Sequence, residues 1–285
     1  MNEIKDMDDI MDYAFKYNVQ KSNTLVLSSI FDFSEIEMDM ANFLTVLVKP
    51  PEEDYETKEL KYELTYEVDF STLCHLTGTM RNGKTYKDYA NAIERLRRKS
   101  VAIKLENGNY APFFFISDWE YDDKRGVAIV KISEKMIPYI IDLKTKYLTY
   151  KSQYTFLMKG KYPKRLYEEF KAVFNANKGN KVIYQPSFQA MKDRLSIKSN
   201  SYSSYSSFEQ KILKRSVEEI NRRSDITVTY TPIREKNKVR EIRFVIAAKA
   251  PKELKKVDDE NKKMIERTNY EYTSNKTFLD IQDYE

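Results

Sequence analysis

The sequence has few of the residues from which metal sites and disulfide frameworks are built. Its 285 residues include one cysteine, Cys74, and one histidine, His75. A disulfide needs two cysteines, and a zinc finger or a histidine-based metal site needs several such ligands. The sequence therefore predicts neither a disulfide framework nor a site of these kinds, and we expect no bound cofactor.

Long apolar runs are also missing. No run approaches the roughly 18 residues that a membrane span needs, and the acidic start MNEIKDMDDIMD lacks the basic region of a signal peptide. We therefore expect a cytoplasmic protein with no membrane partner. The hydrophobic content of 41% is ample for a packed core, and the length suggests two domains.

The net charge of +5 conceals an uneven distribution. Residues 1–56 hold 4 basic and 13 acidic side chains, whereas residues 151–250 hold 22 basic and 9 acidic ones. A basic block of this size is typical of proteins that bind a polyanion such as DNA. A solvated lysine-rich surface is the alternative interpretation. Clustering of the charges on one predicted helix favours polyanion binding over this alternative.

The same order of predicted elements occurs twice. In the first half, a helix that begins at Ser34 precedes a strand, two helices and three β-rich segments. In the second half, a helix interrupted near Gly160 and Pro163 precedes a strand, two helices and a β-hairpin around the basic turn REKNK. Helix, strand, helix, helix and β-hairpin is the order of a winged helix. The sequence therefore predicts an α+β fold of two tandem winged-helix domains.

Four segments follow from this pattern. They are an acidic N-terminal tail (1–17), a first winged-helix domain (18–147), a second winged-helix domain (148–250) and a polar, flexible C-terminal tail (251–285). We expect the second domain to make the main DNA contacts because it coincides with the basic block. The first domain would form a dimer and make auxiliary DNA contacts.

The long helix of the second half has an apolar stripe and an opposite basic stripe. The apolar stripe contains Phe208, Ile212, Val217 and Ile220, with Ser216 between them. The residues that project to the other side are Ser204, Ser207, Lys211, Lys214 and Arg215. Hydroxyl and cationic groups contact phosphates and base edges in a major groove. We predict that these residues bind DNA, together with Ser203 of the preceding turn; an ordinary amphipathic surface helix is the alternative.

The corresponding helix of the first half also has an apolar side and an outward side, but its outward side is less positively charged. Its inward residues are Tyr89, Ile93 and Leu96, and its outward residues are Lys84, Lys87, Asn91, Arg95 and Arg98. Asp88 and Glu94 interrupt the outward face, so a dimerisation surface competes with DNA binding there. The hairpin of the second half carries Arg234, Lys236, Lys238 and Arg240, which we expect to lie along a phosphate backbone; a solvated hairpin tip is the alternative.

The segment from Gly78 to Thr85 matches the phosphate-binding pattern G-x-x-x-x-G-K-[ST]. That pattern binds nucleotides only where it follows a buried strand and opens a helix on a parallel sheet. Here the preceding FSTLCHLT reads as a short helix that ends at Gly78. A P-loop NTPase therefore ranks below a binding protein. A rolling-circle initiator is excluded because its catalytic tyrosine needs a pair of histidine metal ligands.

Two segments resemble a known family. They are VQKSNTLVLSSIFDFSEIEMDMANFL in the first half and FEQKILKRSVEEINRRSDITVTY, followed by a basic turn and VREIRFVI, in the second. In order and spacing, roughly residues 18–248 resemble the theta-type, iteron-binding plasmid replication initiators. By this resemblance Lys211, Lys214 and Arg215 fall where the family places basic DNA-contacting residues. Glu209 and Gln210 stand where some relatives are basic.

The resemblance implies the function. Monomers would bind direct repeats (iterons) in double-stranded DNA at a plasmid origin, help melt adjacent DNA and recruit the host initiator and replicative helicase. Homodimers joined through the first domain would bind an operator and repress their own gene, which contributes to copy control. We therefore expect a replication initiator that is not an enzyme. A winged-helix transcriptional regulator without origin function is the alternative.

Overall fold

The computed structural model describes residues 18–105, 107–143, 146–177, 180–198, 201–202 and 204–282, with side chains as far as residue 267. The predicted acidic tail, residues 1–17, lies outside the described residues. None of the helices in the described part of the chain has an apolar segment long enough to cross a membrane.

The first half follows the predicted order with additional short strands. In chain order it contains β1 (Asn18–Ser22), α1 (Asn23–Leu27), β2 (Ser29–Ile30), α2 (Glu35–Leu47), β3 (Glu52–Glu53), β4 (Leu60–Lys61), β5 (Thr65–Asp69), α3 (Phe70–Thr77), α4 (Gly83–Arg98), β6 (Ser100–Lys104), β7 (Tyr110–Phe114), β8 (Ile116–Asp122), β9 (Val127–Ile132), a 3-10 turn (Glu134–Met136) and α5 (Ile137–Ile140). Ser34 caps α2, as predicted, and forms a capping box with Glu37.

The second half ends in a long helix. It contains β10 (Tyr147–Lys151), α6 (Gln153–Phe156), α7 (Lys161–Ala176), β11 (Lys181–Tyr184), α8 (Phe188–Arg194), α9 (Tyr205–Phe208), a π-helical turn (Glu209–Leu213), α10 (Lys214–Arg223), β12 (Ile226–Glu235), β13 (Lys238–Ala248) and α11 (Pro251–Gln282). The segments from α9 to α10 are contiguous and form what we call the 205–223 helix.

The two halves share one sheet topology. In the first half the strand order is β5-β9-β8, and in the second it is β11-β13-β12, with antiparallel pairing throughout. In both, the strand before the two helices pairs with the last strand, and the last two strands form the hairpin. The protein therefore has two tandem winged-helix domains, as predicted. The β8–β9 hairpin is the wing of the first domain, while the β6–β7 hairpin pairs with β2 in a separate sheet.

The start of the second half differs from the prediction. The sequence predicts helix from residue 150 onward, but β10 covers residues up to Lys151 and pairs with β1, from Asn18↔Lys151 to Ser22↔Tyr147. Pairing with a strand at the other end of the first domain overrides the local helix propensity. The boundary at residue 147 stays a prediction.

The structure corrects the expectation of a flexible tail after residue 250. This segment is the helix α11, which lies against α3 and α10. Val257, Asn261 and Ile265 are buried at helical spacing, so the segment packs one face on the protein. Asn261 exchanges hydrogen bonds with Arg223 at the end of α10. The sequence prediction missed this periodicity because the segment is mostly polar.

Helix α7 has an unusual number of buried charged side chains. Lys164, Arg165, Glu168 and Glu169 are all at most 5% exposed. Lys164 pairs with Asp39 of α2, and Arg165 donates to the backbone carbonyl of Ser29 at 2.9 Å. Because buried charges need partners, these pairs tie α7 to the elements of the first domain.

Candidate nucleic-acid interface

The 205–223 helix is oriented as its sequence pattern predicts. Ser204 caps the helix by accepting a hydrogen bond from the backbone N–H of Ser207 at 3.2 Å. The predicted inward residues Phe208, Ile212, Ser216, Val217 and Ile220 are all buried. Of the predicted outward residues, Ser204, Lys211, Lys214 and Arg215 are exposed and Ser207 is half-buried, while Ser203 lies outside the described residues.

A π-helical turn interrupts this helix at Glu209–Leu213. The backbone N–H of Lys214 bonds to the carbonyl of Glu209, five residues earlier. Leu213, at the end of this turn, is buried beside Ile212. It lies four residues before Val217 and seven before Ile220, so helical periodicity also places it on the apolar stripe, although the predicted set of inward residues omitted it.

The three predicted basic residues of this helix are available to a partner. Within the described ranges, Lys214 and Arg215 make no ion pair, and the ammonium of Lys211 lies 6.0 Å from the centroid of the Tyr202 ring. Three exposed cations on one helix face, beside a capped N-terminus, form a surface that attracts phosphate groups.

The acidic residues of the helix diverge. Glu218 is exposed, whereas Glu219 is largely buried and accepts a hydrogen bond from the backbone N–H of Lys159 at 3.0 Å. The two carboxylates therefore do not form a catalytic pair. Sequence reasoning missed Lys159, whose ammonium also donates to the carbonyl of Thr77 at 3.0 Å. No local pattern indicates this contact, because it joins residues that are far apart in the chain.

The wing of the second domain carries its basic residues at the tip. Arg234, Lys236, Lys238 and Arg240 are all exposed. Lys236 begins a two-residue turn and has a φ of 52°, in the left-handed region. Arg240 pairs with Glu235 at 2.9 Å, but both side chains are more than 60% exposed, so water weakens this pair.

Two residues of the family-like motif join the helix to neighbouring elements. The side chain of Asn221 accepts from the backbone N–H of Val228 at 2.7 Å and donates to its carbonyl at 2.9 Å. Asp225 accepts from the hydroxyl of Tyr167 at 3.0 Å. These contacts fix the 205–223 helix against the wing and α7, so that both basic segments belong to one rigid domain.

In the first domain, α4 places its residues as predicted, but two of its cations are paired. Tyr89, Ile93 and Leu96 are buried, and Lys84, Lys87 and Asn91 are exposed. Arg95 bonds to the buried carboxylate of Glu37 at 2.6 Å, and Arg98 bonds to Glu94 at 2.5 Å.

The carboxylates that hold these arginines are themselves well anchored. Burial alone would raise the pKa of Glu37, but hydrogen bonds from Lys99, Ser34 and Arg95 lower it overall. Hydrogen bonds from Arg97, and then from Trp119, lower the pKa of Glu94 to about 2. Both carboxylates are therefore charged at neutral pH. The predicted outward residues of α4 that make no ion pair in the described part of the chain are Lys84, Lys87 and Asn91, and Arg98 is 71% exposed, so water weakens its pair with Glu94.

The phosphate-binding pattern lies in a turn between two helices. Gly78 ends α3 with a φ of 64°, and Asn82 caps α4 by accepting from the N–H of Thr85 at 2.9 Å. The hydroxyl of Thr85 donates to the carbonyl of Met80 at 2.8 Å. The strand that should precede a P-loop is replaced by α3, so this turn lacks the geometry that the motif requires.

Within the described ranges, no group of three or more histidine, cysteine or acidic side chains is placed to hold a metal ion.

Two family models match the chain: "Initiator Replication protein, WH1" over residues 18–171 and "Initiator Rep protein, WH2" over residues 187–246. A crystal structure of Pi initiator protein in complex with iteron DNA shares the fold, with a TM-score of 0.64 at 15% identity over 82% of this chain and 98% of that one. A structure of domains 2 and 3 of RctB matches with a TM-score of 0.44 at 12% identity over 85% and 99% of the two chains. No curated protein matches the chain in sequence. With the WH1 model alone matching more than half of its length, the chain belongs to the initiator replication protein family.

Proposed function

We propose that the protein is a sequence-specific DNA-binding initiator of plasmid replication, which binds direct repeats at the plasmid origin. The observation that carries this proposal is the outward face of the 205–223 helix. It presents Lys211, Lys214 and Arg215 unpaired among the described residues, on the second of two tandem winged-helix domains. Membership of the initiator family and a fold shared with a protein crystallised on iteron DNA support it.

The binding mode follows from having two such domains. The 205–223 helix would enter one major groove, and α4 would enter or flank the next, about 34 Å along one face of the duplex. The wing, with Lys236 and Lys238 at its tip, would lie along the phosphate backbone. Binding and local melting of DNA need no catalytic side chain, so we propose that the protein acts without an enzymatic activity of its own.

We further propose that dimers, joined through the first domain, bind an operator and repress the protein's own gene, while monomers bind the origin repeats. One observation supports a dimer. The outer face of the β2-β6-β7 sheet exposes Ile30, Tyr110 and Phe114, which are 36%, 48% and 50% exposed. An apolar sheet face of this kind suits a second copy of the chain.

At the origin, the host replication initiator and the replicative helicase would be the protein's partners in the cytoplasm.

Two alternative functions differ from this proposal. A winged-helix transcriptional regulator without origin function would use the same helix on an operator. A nucleotide-dependent activity at Gly78–Thr85 is disfavoured because α3 stands where a P-loop needs a strand.

Footprinting on DNA that flanks the protein's own gene tests the proposal. We expect a row of protected direct repeats, with protection repeated at a regular interval. A single protected inverted repeat with no protected direct repeats would favour a repressor without origin function. A second experiment, maintenance of a plasmid that carries the repeats and the gene, should fail when the repeats are deleted.

A further inference from the structure

The exposed face of the 205–223 helix contains one group that differs chemically from its neighbours. Its exposed side chains, from the first turn to the last, are those of Ser206, Gln210, Lys211, Lys214, Arg215, Glu218 and Arg222. Among these, Gln210 alone has a planar amide, which donates and accepts at the same time. Lysine and arginine only donate, and they favour guanine or phosphate.

The structure separates Gln210 from the adjacent Glu209. Glu209 is half-buried and turned toward Tyr230 of the wing strand; burial raises the pKa of Tyr230 to about 12, and the Glu209 carboxylate adds to the shift. The side chain of Gln210 is exposed and makes no hydrogen bond to any other residue in the described part of the chain.

The position of Gln210 along the helix matches that of a base-reading residue. It lies in the second turn, between Ser206 and Lys214, and within the π-helical turn. In helix-turn-helix proteins, residues in the N-terminal part of the recognition helix contact base edges. The neighbouring Lys214, which is also exposed, can neutralise a phosphate beside the groove, and this would leave the amide aimed at the bases.

We infer that Gln210 determines sequence specificity by reading an adenine in the major groove. Its amide oxygen would accept a hydrogen bond from the adenine N6 amino group, and its amide nitrogen would donate to N7. This inference rests on the proposed function, because it names the base that the same interface recognises.

The experiment selects binding sites for full-length protein from a randomised duplex library. Wild-type protein and the variants Gln210→Ala, Gln210→Glu and Gln20→Ala are compared, with folding checked by circular dichroism. We expect Gln210→Ala to lose the preference for one A·T pair, with a discrimination change of about tenfold or more. Gln210→Glu should shift the preference at that pair toward C·G, because a carboxylate accepts from the cytosine N4 amino group.

Gln20→Ala is the matched control, since Gln20 carries the same amide, exposed on β1 and outside the proposed interface. It should leave every base preference intact. In addition, duplexes that carry 7-deazaadenine at one position at a time should weaken wild-type binding at the same adenine and leave Gln210→Ala unaffected there.

The outcomes separate this inference from the proposed function. If Gln210→Ala keeps the wild-type preference at every position, the inference is wrong while the proposed function stands. If the wild-type protein selects no sequence at all, both are wrong. Loss of preference at a G·C pair instead of an A·T pair would also overturn the assignment of adenine.

Discussion

The ammonium group of Lys21, on the first strand, lies 2.7 Å from the carboxylate of Glu168, which is 147 residues later on α7. Both side chains are at most 7% exposed. The hydroxyl of Tyr150 also donates to this carboxylate, at 2.6 Å. Burial lowers the pKa of Lys21 while Glu168 opposes that change. The pair therefore connects the start of the first domain to α7 through a charge contact that excludes water.

Removal of one member of this pair should strongly destabilise the protein. Lys21→Met leaves the Glu168 carboxylate buried without its cation, and we expect the free energy of unfolding to fall by about 3–5 kcal/mol. The double variant Lys21→Met/Glu168→Gln should lose less than the sum of the single variants, as measured by urea denaturation. Additive losses would mean that the two groups are not coupled.

Helix α11 should contribute to stability through Asp258. Its carboxylate accepts from Lys151 at 3.1 Å, from Gln153 at 2.7 Å and from Tyr154 at 3.3 Å. We expect Asp258→Ala to lower the free energy of unfolding by about 1–3 kcal/mol. The adjacent Asp259 is exposed, so Asp259→Ala is a control of equal charge and should change it by less than about 0.5 kcal/mol. Equal effects of both variants in thermal denaturation would contradict a packed α11.

Binding to origin DNA should depend steeply on salt. The 205–223 helix and the wing of the second domain contribute six exposed cations to the proposed interface, namely Lys211, Lys214, Arg215, Arg234, Lys236 and Lys238. Neutralisation of about six phosphates releases their counterions and gives a slope near −5 in a plot of log affinity against log salt concentration. Fluorescence anisotropy over a salt series measures this slope. An affinity that barely changes between low and moderate salt would rule out this electrostatic mode.

The helix and the wing should differ in their effect on specificity. Lys211→Ala is expected to erode discrimination between the repeat and unrelated DNA, because Lys211 faces the bases in the proposed mode. Lys236→Asn should weaken all sequences about equally and reduce the salt slope by about 1. Asparagine is chosen because it tolerates the left-handed φ of 52° at this position. Competition binding with specific and non-specific duplexes distinguishes the two effects.

The proposed dimer should be sensitive to charge on the outer face of the β2-β6-β7 sheet. Phe114→Lys places an ammonium group within the proposed apolar interface, where its desolvation would be costly. We expect sedimentation velocity to detect only monomer, with binding to a single repeat retained. Glu120→Lys, on the exposed side of β8, is the control and should leave the dimer intact. A Phe114→Lys protein that still forms dimers would place the contact elsewhere.

Much of the architecture could be predicted because its signals are local. The capping box at Ser34, the left-handed Gly78 at the end of α3 and the alternation of the β12–β13 hairpin each involve residues within a few positions of one another. The inward and outward faces of α4 and of the 205–223 helix were also predictable, since they depend only on helical periodicity. The order of these elements predicted the tandem winged-helix fold, and the resemblance predicted the family.

The sequence by itself thus determined the local elements, their order and the face on which each basic residue lies. Only the tertiary structure decided that residues 147–151 form a strand, that the segment after residue 250 packs as a helix and that Arg95 and Arg98 are held by carboxylates. It also decided that Glu209 lies beside Tyr230 of the wing strand. The physical reason is the sequence separation of the interacting residues. A strand, a buried face or an ion pair is stabilised by residues that can lie more than a hundred positions away in the chain, as Glu168 does from Lys21.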